Sequence, residues 1–401
     1  MSQPIIYLNS NDGTGILAFG DGATFTKSGK KTIAEVQDFI DEHQGKYIFG
    51  YLSYDLKNDF YQLKSSNFDG LKIADTHLWV PATVVKLDHE KFEFVQGGKT
   101  PEAFDFIGRL MEEEADKNYH SFNYQFEART PKEDYLATVR KIKEHIQRGD
   151  IYEVNYCQEF FTKNVELNFE LDTYFKLNEI TKAPFSSFLQ LGDITAFCGS
   201  PERFLQRTGN KLISQPIKGT ARRGVSAEED DYLKEQLLKN PKELAENVMI
   251  VDLVRNDLSK IATKDSVKVD ELQGLHTFET VHQLISTVSC EIDEKTNFAS
   301  IIEATFPMGS MTGVPKLRAM ELMEDYENFK RGLYAGSIGY IQPNGDFDFN
   351  VVIRSLIYNR KEKYMSCAVG GAITIQSDPE AEYEECLTKV GKIIKGMNEF
   401  L

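Results

Sequence analysis

The chain has 401 residues, enough for two or three average domains or one large one. Its 41% hydrophobic content supports a sizeable core, and its net charge of −16 argues against nucleic acid as a bulk partner, because phosphate binding needs a basic face. The five cysteines form no CxxC pair, the N-terminus has no basic-then-apolar leader, and no apolar run approaches the ~18 residues of a membrane helix, so the expectation is a reduced, soluble, cytoplasmic protein.

Residues 1–120 mix strands and helices. "THLWVPATVVKLDHEKFEFVQ" reads as two strands around a turn at 88–90, and "PEAFDFIGRLMEEEADK" reads as a helix. From 130 the signals sharpen. Thr130, Pro131 and Glu133 predict an N-cap, a first-turn proline and a capping-box acid, and Gly149 closes that helix. A strand, "IYEVNYCQEFF", follows. Residues 184–217 predict a run of antiparallel strands: "PFSSFLQL", "ITAFCGS", "RFLQRT" and "KLISQPI". Ser226 with Glu229 opens a capped helix, and Asn240-Pro241 opens another, "NPKELAENVMIVDLVRNDL". Its predicted apolar stripe is Leu244, Val248, Val251, Val254 and Leu258.

"VHQLISTVSCEI" reads as a strand, with helices near 297–305 and 315–328. A hairpin turns on Asn344-Gly345, "YMSCAVGGAITIQS" adds a strand, and Asp378-Pro379 opens the last helix. Antiparallel runs without βαβ alternation predict an α+β fold of large antiparallel sheets covered by helices.

Several constellations could carry chemistry. Glu243/Glu246 and Glu382/Glu385 each lie on one side of a helix, and four converging carboxylates would need a hard divalent cation. Spacing alone is weak here, since Glu321/Glu324 shows it too and Glu243 stands where a capping-box role suffices. "FPMGSMTGVPKLRAM" is a glycine loop running into a helix, suited either to an anion or to an ordinary connection. Arg354 is predicted mid-strand in "FNVVIRSLIY", needing either a structural salt-bridge partner or a substrate carboxylate. Gly370-Gly371-Ala372, placed just after a strand, is a bulge or a close backbone approach to a ligand. Glu202 reads as a turn acid. Lys218, in "QPIKGTARRG", reads by itself as a solvated hairpin lysine.

The order of these motifs is specific. "SPERFL", "PIKGTARRG", "ELAENVMIVDLVRNDL", "FPMGSMTGVPKLRAMELM", "YAGSIGYI", "VVIRSL" and "GGAITIQSDPEAEYEECLTKV" together closely resemble the chorismate-utilising enzymes. The match runs from about 130 to the C-terminus. It implies a variable N-terminal α+β region at 1–120 on the same fold as a chorismate-binding catalytic domain at 121–401. It also implies two large packed antiparallel sheets with outer helices, chorismate as substrate and Mg²⁺ as cofactor.

By motif, the resemblance makes Glu246 and Glu385 ligands of Mg²⁺, supported through water by Glu243 and Glu382. Tyr334, Arg354 and the Gly370, Gly371 and Ala372 backbone then hold the enolpyruvyl carboxylate. Gly219, Thr220 and Lys316 are expected at the substrate. Glu202 is the expected general acid toward the C4 hydroxyl. Anthranilate synthases have "PIAGT" where this chain has "PIKGT", and the lysine form resembles the branch that aminates chorismate at C4. There Lys218 would attack C2, which requires a neutral amine and so a lowered pKa. Water-adding members carry a lysine at position 153, whereas amidating relatives usually carry glutamine; this chain has Glu153. Anthranilate synthases place a histidine where Gln283 stands, and alternation turns His282 to the opposite face. No glutaminase signature is present, so ammonia is expected from a separate glutamine amidotransferase subunit. A C2-aminating enzyme and a non-catalytic chorismate-binding paralogue are the alternatives.

Overall fold

A computed structural model describes residues 3–398 apart from 90, 116–118 and 121. Two large antiparallel sheets, of eleven and ten strands, form its body. Beyond the short edge strand Gly313–Val314, the first sheet runs Glu153–Lys163, Tyr364–Ile373, Ser355–Asn359, Ile194–Ser200, Phe185–Leu191, Ile5–Asn9, Thr14–Phe19, Thr83–Asp88, Lys91–Gln96. In the second, Val281–Glu291 pairs with Lys268–Thr277 on one side and with both Lys211–Gln215 and Ile217–Arg222 on the other. The sheet continues through Arg203–Thr208, Phe347–Asn350, Ser337–Ile341, Ile48–Leu52, Thr76–Trp79 and Thr24–Lys27. The predicted α+β architecture is what forms.

Burial follows the two-residue period of the strands. Along Phe185–Leu191, Leu189 joins the core between the sheets while Phe188 joins the core beneath the helices. Tyr7 and Ile6 divide the same way. The first sheet is therefore covered on both faces, by the second sheet and by a helical layer including Lys132–Arg148 and Pro379–Asn398. Tyr135, Leu136, Val139 and Ile142 of Lys132–Arg148 are fully buried there, each worth roughly 1.5–3 kcal/mol. A charge at Val139 would break that contact. Among the described residues no helix is long and apolar enough to cross a membrane.

Several elements differ from the sequence reading. The first predicted strand of 76–87 is two strands, Thr76–Trp79 and Thr83–Asp88, in different sheets. Pro81 has no N–H to continue a ladder, and the chain changes sheets there. The turn at 88–90 and the end of the 101–117 helix fall partly outside the described residues. Thr130 does not cap its helix; its hydroxyl donates to Asn328 instead. The helix Glu170–Thr181 has no sequence stripe because it is buried nearly all round, at Thr173 through Asn178. The caps Ser226 and Asn240 form as expected, accepting from the N–H of Glu229 and from those of Lys242 and Glu243.

The helix Pro241–Ser259 is rotated from its predicted stripe. Val248 is exposed, and the inward face carries Glu246, Asn247, Ile250, Val251, Leu253, Val254, Asp257 and Leu258. Three polar groups therefore point inward, so this helix delivers chemistry to the interior.

Candidate active site

Lys218 lies in a strand, Ile217–Arg222, not in a hairpin turn. Ile217 pairs with Ile285 and Thr220 with Gln283, so three steps on one strand oppose two on the other. The extra residue is a bulge centred on Gly219, whose φ of +97° favours glycine. A Cβ there would meet Leu284 and Leu237 side-chain carbons at 3.1 and 3.3 Å. Asn247 of Pro241–Ser259 fixes the bulge by donating to the Lys218 carbonyl at 3.4 Å, while Ser286 donates to Asn247 at 2.7 Å. The Lys218 side chain is only 13% exposed.

Glu153, on Glu153–Lys163, faces Lys218 across the gap between the sheets. Its Oε1 lies 3.3 Å from Nζ, and its buried Oε2 has no hydrogen-bond partner. Burial pulls the Lys218 pKa down, but Glu153 first, then Glu246 and Glu202, pull it up, and the net direction is upward. This corrects the expectation of a lowered pKa. Opposing carboxylates outweigh desolvation, so Lys218 rests as an ammonium.

Glu202 and Arg354 sit where the chain changes sheets. Glu202 falls between Ile194–Ser200 of the first sheet and Arg203–Thr208 of the second. Arg354 falls between Phe347–Asn350 and Ser355–Asn359, crossing the opposite way. Arg354 is thus not mid-strand as expected. It has a φ of +52°, and the strand reading failed because it assumed one continuous sheet across the crossing. The two crossings are bonded together: the Val351 N–H donates to the Glu202 carbonyl and the Gly199 N–H to the Arg354 carbonyl.

Burial pushes the Glu202 carboxyl up to about 7, against a hydrogen bond from Ser310, the Lys218 charge, the Ile217 N–H and the Arg354 charge. Ser310 donates at 2.6 Å from the "FPMGSM" loop. The sequence reading weighed that loop as an anion cradle and missed this hydroxyl. A buried carboxyl titrating near neutrality can donate a proton at physiological pH.

The acids of the two helices face one another. Lys242 Nζ lies 3.0 Å from Glu382 Oε1 and 3.8 Å from Glu246 Oε1, joining Pro241–Ser259 to Pro379–Asn398. Glu246 is 6% exposed, and its Oε1 is buried without a hydrogen bond. Burial chiefly, with the Glu153 and Glu243 charges, raises its carboxyl to about 7 against Lys218 and Lys242. Burial and then Glu385 raise Glu243. Burial also pushes Glu385 up, but Lys389 at 2.6 Å, with Lys242 and Lys218 beyond it, brings it net downward. Among the described residues no three such side chains close into a compact ligand cluster. The donors are all carboxylate oxygens and one is buried and unpartnered, which suits a hard divalent cation such as Mg²⁺.

Gly370, Gly371 and Ala372 lie inside the strand Tyr364–Ile373 rather than after it, opposite Cys157, Tyr156 and Asn155. Cys157 and Asn155 send their N–H groups away, to Glu327 and the Thr312 carbonyl. Their partners Gly370 and Ala372 therefore turn their own backbone groups to the opposite edge. The Gly370 carbonyl accepts from Lys389 there at 3.0 Å. A Cβ on Gly370 would sit 2.7 Å from Cys157 Sγ. Tyr334 is buried near Cys157 and Arg331, which follows from its loop being tied at Ala335 to the Val352 carbonyl of the crossing.

One assignment changes. The Lys316 ammonium donates to Asp257 and to the Thr305 and Pro307 carbonyls, so its three protons are committed to holding helix ends and the loop together. It has none left for a substrate. His282 is fully buried between Thr277 and Asp230, at 3.0 and 2.8 Å, on the face opposite Gln283 as alternation predicted. Gln283 reaches the exposed Thr220, donating to its hydroxyl at 3.4 Å, and its Oε1 is buried and unpartnered. Lys242 went unremarked in the sequence, although its i,i+4 relation to Glu246 marks it.

A two-sheet α+β fold that gathers a lysine on a bulged strand, a near-neutral carboxyl and an arginine at its crossings, and paired acidic helices defines a class of enzyme built for a small anionic substrate. The family model described as chorismate binding enzyme matches residues 3–395, and the chain belongs to that family. It is 31% identical over 414 residues to aminodeoxychorismate synthase component 1 of Bacillus subtilis, covering 96% of this chain and 86% of that protein. It is 37% identical over 268 residues to the Escherichia coli protein of the same name, covering 67% of this chain and 58% of the relative's length. Anthranilate synthase component I from Streptococcus pneumoniae shares the fold, with a TM-score of 0.76 at 24% identity over 99% of this chain and 91% of that one.

Proposed function

We propose that the protein is an aminodeoxychorismate synthase large subunit. It converts chorismate and ammonia to 4-amino-4-deoxychorismate on the cytoplasmic route to 4-aminobenzoate and folate. A separate glutamine amidotransferase subunit supplies the ammonia. The observation that carries this reading is Lys218, buried on the Gly219 bulge where C2-aminating relatives have alanine, with Glu202 interacting with it electrostatically.

In this reading Arg354, Tyr334 and the Gly370 and Ala372 backbone hold the enolpyruvyl carboxylate. Glu246 and Glu385, backed by Glu243 and Glu382, would hold Mg²⁺, which when bound neutralises the ring carboxylate. Lys218 gives up one ammonium proton to solvent and its amine attacks C2 while Glu202 protonates the departing C4 hydroxyl, releasing water. Ammonia then attacks C4 and the C2–N bond breaks, returning the lysine amine, which regains its proton from solvent. The new C4 ammonium returns a proton to Glu202, which balances the cycle.

The test is product identity. Incubated with chorismate, MgCl₂ and ammonium chloride, the chain should yield 4-amino-4-deoxychorismate. Without ammonium, intact mass should show an adduct on the parent and none on Lys218→Ala, whose turnover should fall by a factor of at least ~10². Anthranilate as product, or unchanged turnover in Lys218→Ala, would sink the reading.

A further inference from the structure

Lys242 has no part in the mechanism above, yet it sits among the groups that matter most to it. It is the second residue of Pro241–Ser259, one turn before Glu246 on the same face. Its Nζ does not project into solvent. It lies 3.0 Å from Glu382 and 3.8 Å from Glu246, on two different helices. Both carboxylates are nearly buried, with side chains 3% and 7% exposed, while Lys242 is 35% exposed. Glu246 Oε1 faces this ammonium yet has no hydrogen-bond donor.

A carboxylate pair in this setting needs positive charge, and Lys242 supplies it from within the chain. A divalent ion binding the same oxygens would have to displace the ammonium or tolerate it a few ångströms away. The cost is large. A unit charge about 5 Å from a divalent ion is worth more than tenfold in affinity even at the dielectric of water. Partial exposure of Lys242 gives its flexible stem a route outward when the ion arrives.

We propose that Lys242 is an internal cation of the Glu243/Glu246/Glu382/Glu385 site and sets its divalent-ion affinity by competing for the same carboxylates. The inference rests on the reading of these four residues as the metal site. Lys242 thereby lets acidic helices stay together without a metal, at the expense of weaker metal binding.

Calorimetric titration of MgCl₂ into the chelator-treated full chain tests this without any turnover assay. Lys242→Met and Lys242→Gln should each bind Mg²⁺ at least about tenfold more tightly than the parent, and Lys242→Arg should stay near the parent. Both charge-removing variants should melt lower than the parent in EDTA and recover in saturating MgCl₂, a pattern that general loss of packing would not give. Affinities of the two neutral variants within twofold of the parent, with the parent binding normally, would overturn the role of Lys242 alone. No Mg²⁺ binding by the parent would instead overturn the metal-site reading and this inference with it.

Discussion

At the level of single residues, Lys218 and Glu202 are poised in opposite senses. The proposed chemistry needs Glu202 protonated and Lys218 neutral. Glu202 titrates near 7, so its acid form is lost as pH rises through that value. Lys218 is raised above the ordinary lysine range, chiefly by Glu153 acting against burial, so its amine appears only as pH rises much further. Glu153→Gln removes the nearest opposing charge and should move the lysine limb of the pH–kcat/KM profile to lower pH by about one unit or more. The Glu202 limb should stay in place. A profile measured from pH 6 to about 12 with both limbs unmoved would refute the role of Glu153. Much of this pair could be seen in the sequence, because the order of the motifs singled out Lys218, Glu202 and position 153. Their electrostatics could not, because pKa direction depends on which carboxylates the fold brings to Nζ. Lys316 shows the same limit: its position suggested substrate, and only the three acceptors around it reveal a clamp.

At the level of elements, the site depends on irregularities that periodicity cannot register. The Gly219 bulge aims Lys218, and the crossings at 201–202 and 351–354 bring Glu202 and Arg354 together. Gly219→Ala should cost about 1–2 kcal/mol from its left-handed backbone alone. The added methyl also presses on Leu284 and Leu237. Activity should suffer more than stability, because an ångström of displacement at a nucleophile can cost ~10²-fold. A variant that melts lower but keeps its kcat would show that the bulge is structural only. Caps and hairpins were legible because Ser226, Asn240 and Asn344-Gly345 act on backbone only a few residues away. The inward face of Pro241–Ser259 was misread because an apolar stripe assumes an apolar core, and here Glu246, Asn247 and Asp257 point inside.

At the level of the whole molecule, the N-terminal region is woven into both sheets. Ile5–Asn9 lies between Phe185–Leu191 and Thr14–Phe19, and Ile48–Leu52 lies between Ser337–Ile341 and Thr76–Trp79. The family resemblance was dense only from 130 onward, which suggested a boundary near 120. Strand order is set by partners distant in sequence, so similarity along the chain carries little information about it. A chain starting at 121 would leave Phe185–Leu191 and Ser337–Ile341 as bare edges and uncover Phe188, Leu189, Ile338 and Ile341, all buried in the intact protein. Unpaired apolar edges of this length recruit other chains. Residues 121–401 alone should therefore aggregate or lack native near-ultraviolet circular dichroism. The intact chain should lose near- and far-ultraviolet signals in one coincident transition. A monomeric 121–401 fragment with the near-ultraviolet spectrum of the parent and its Mg²⁺ affinity would show instead that the acidic helices and the Lys218 strand fold without the N-terminal strands.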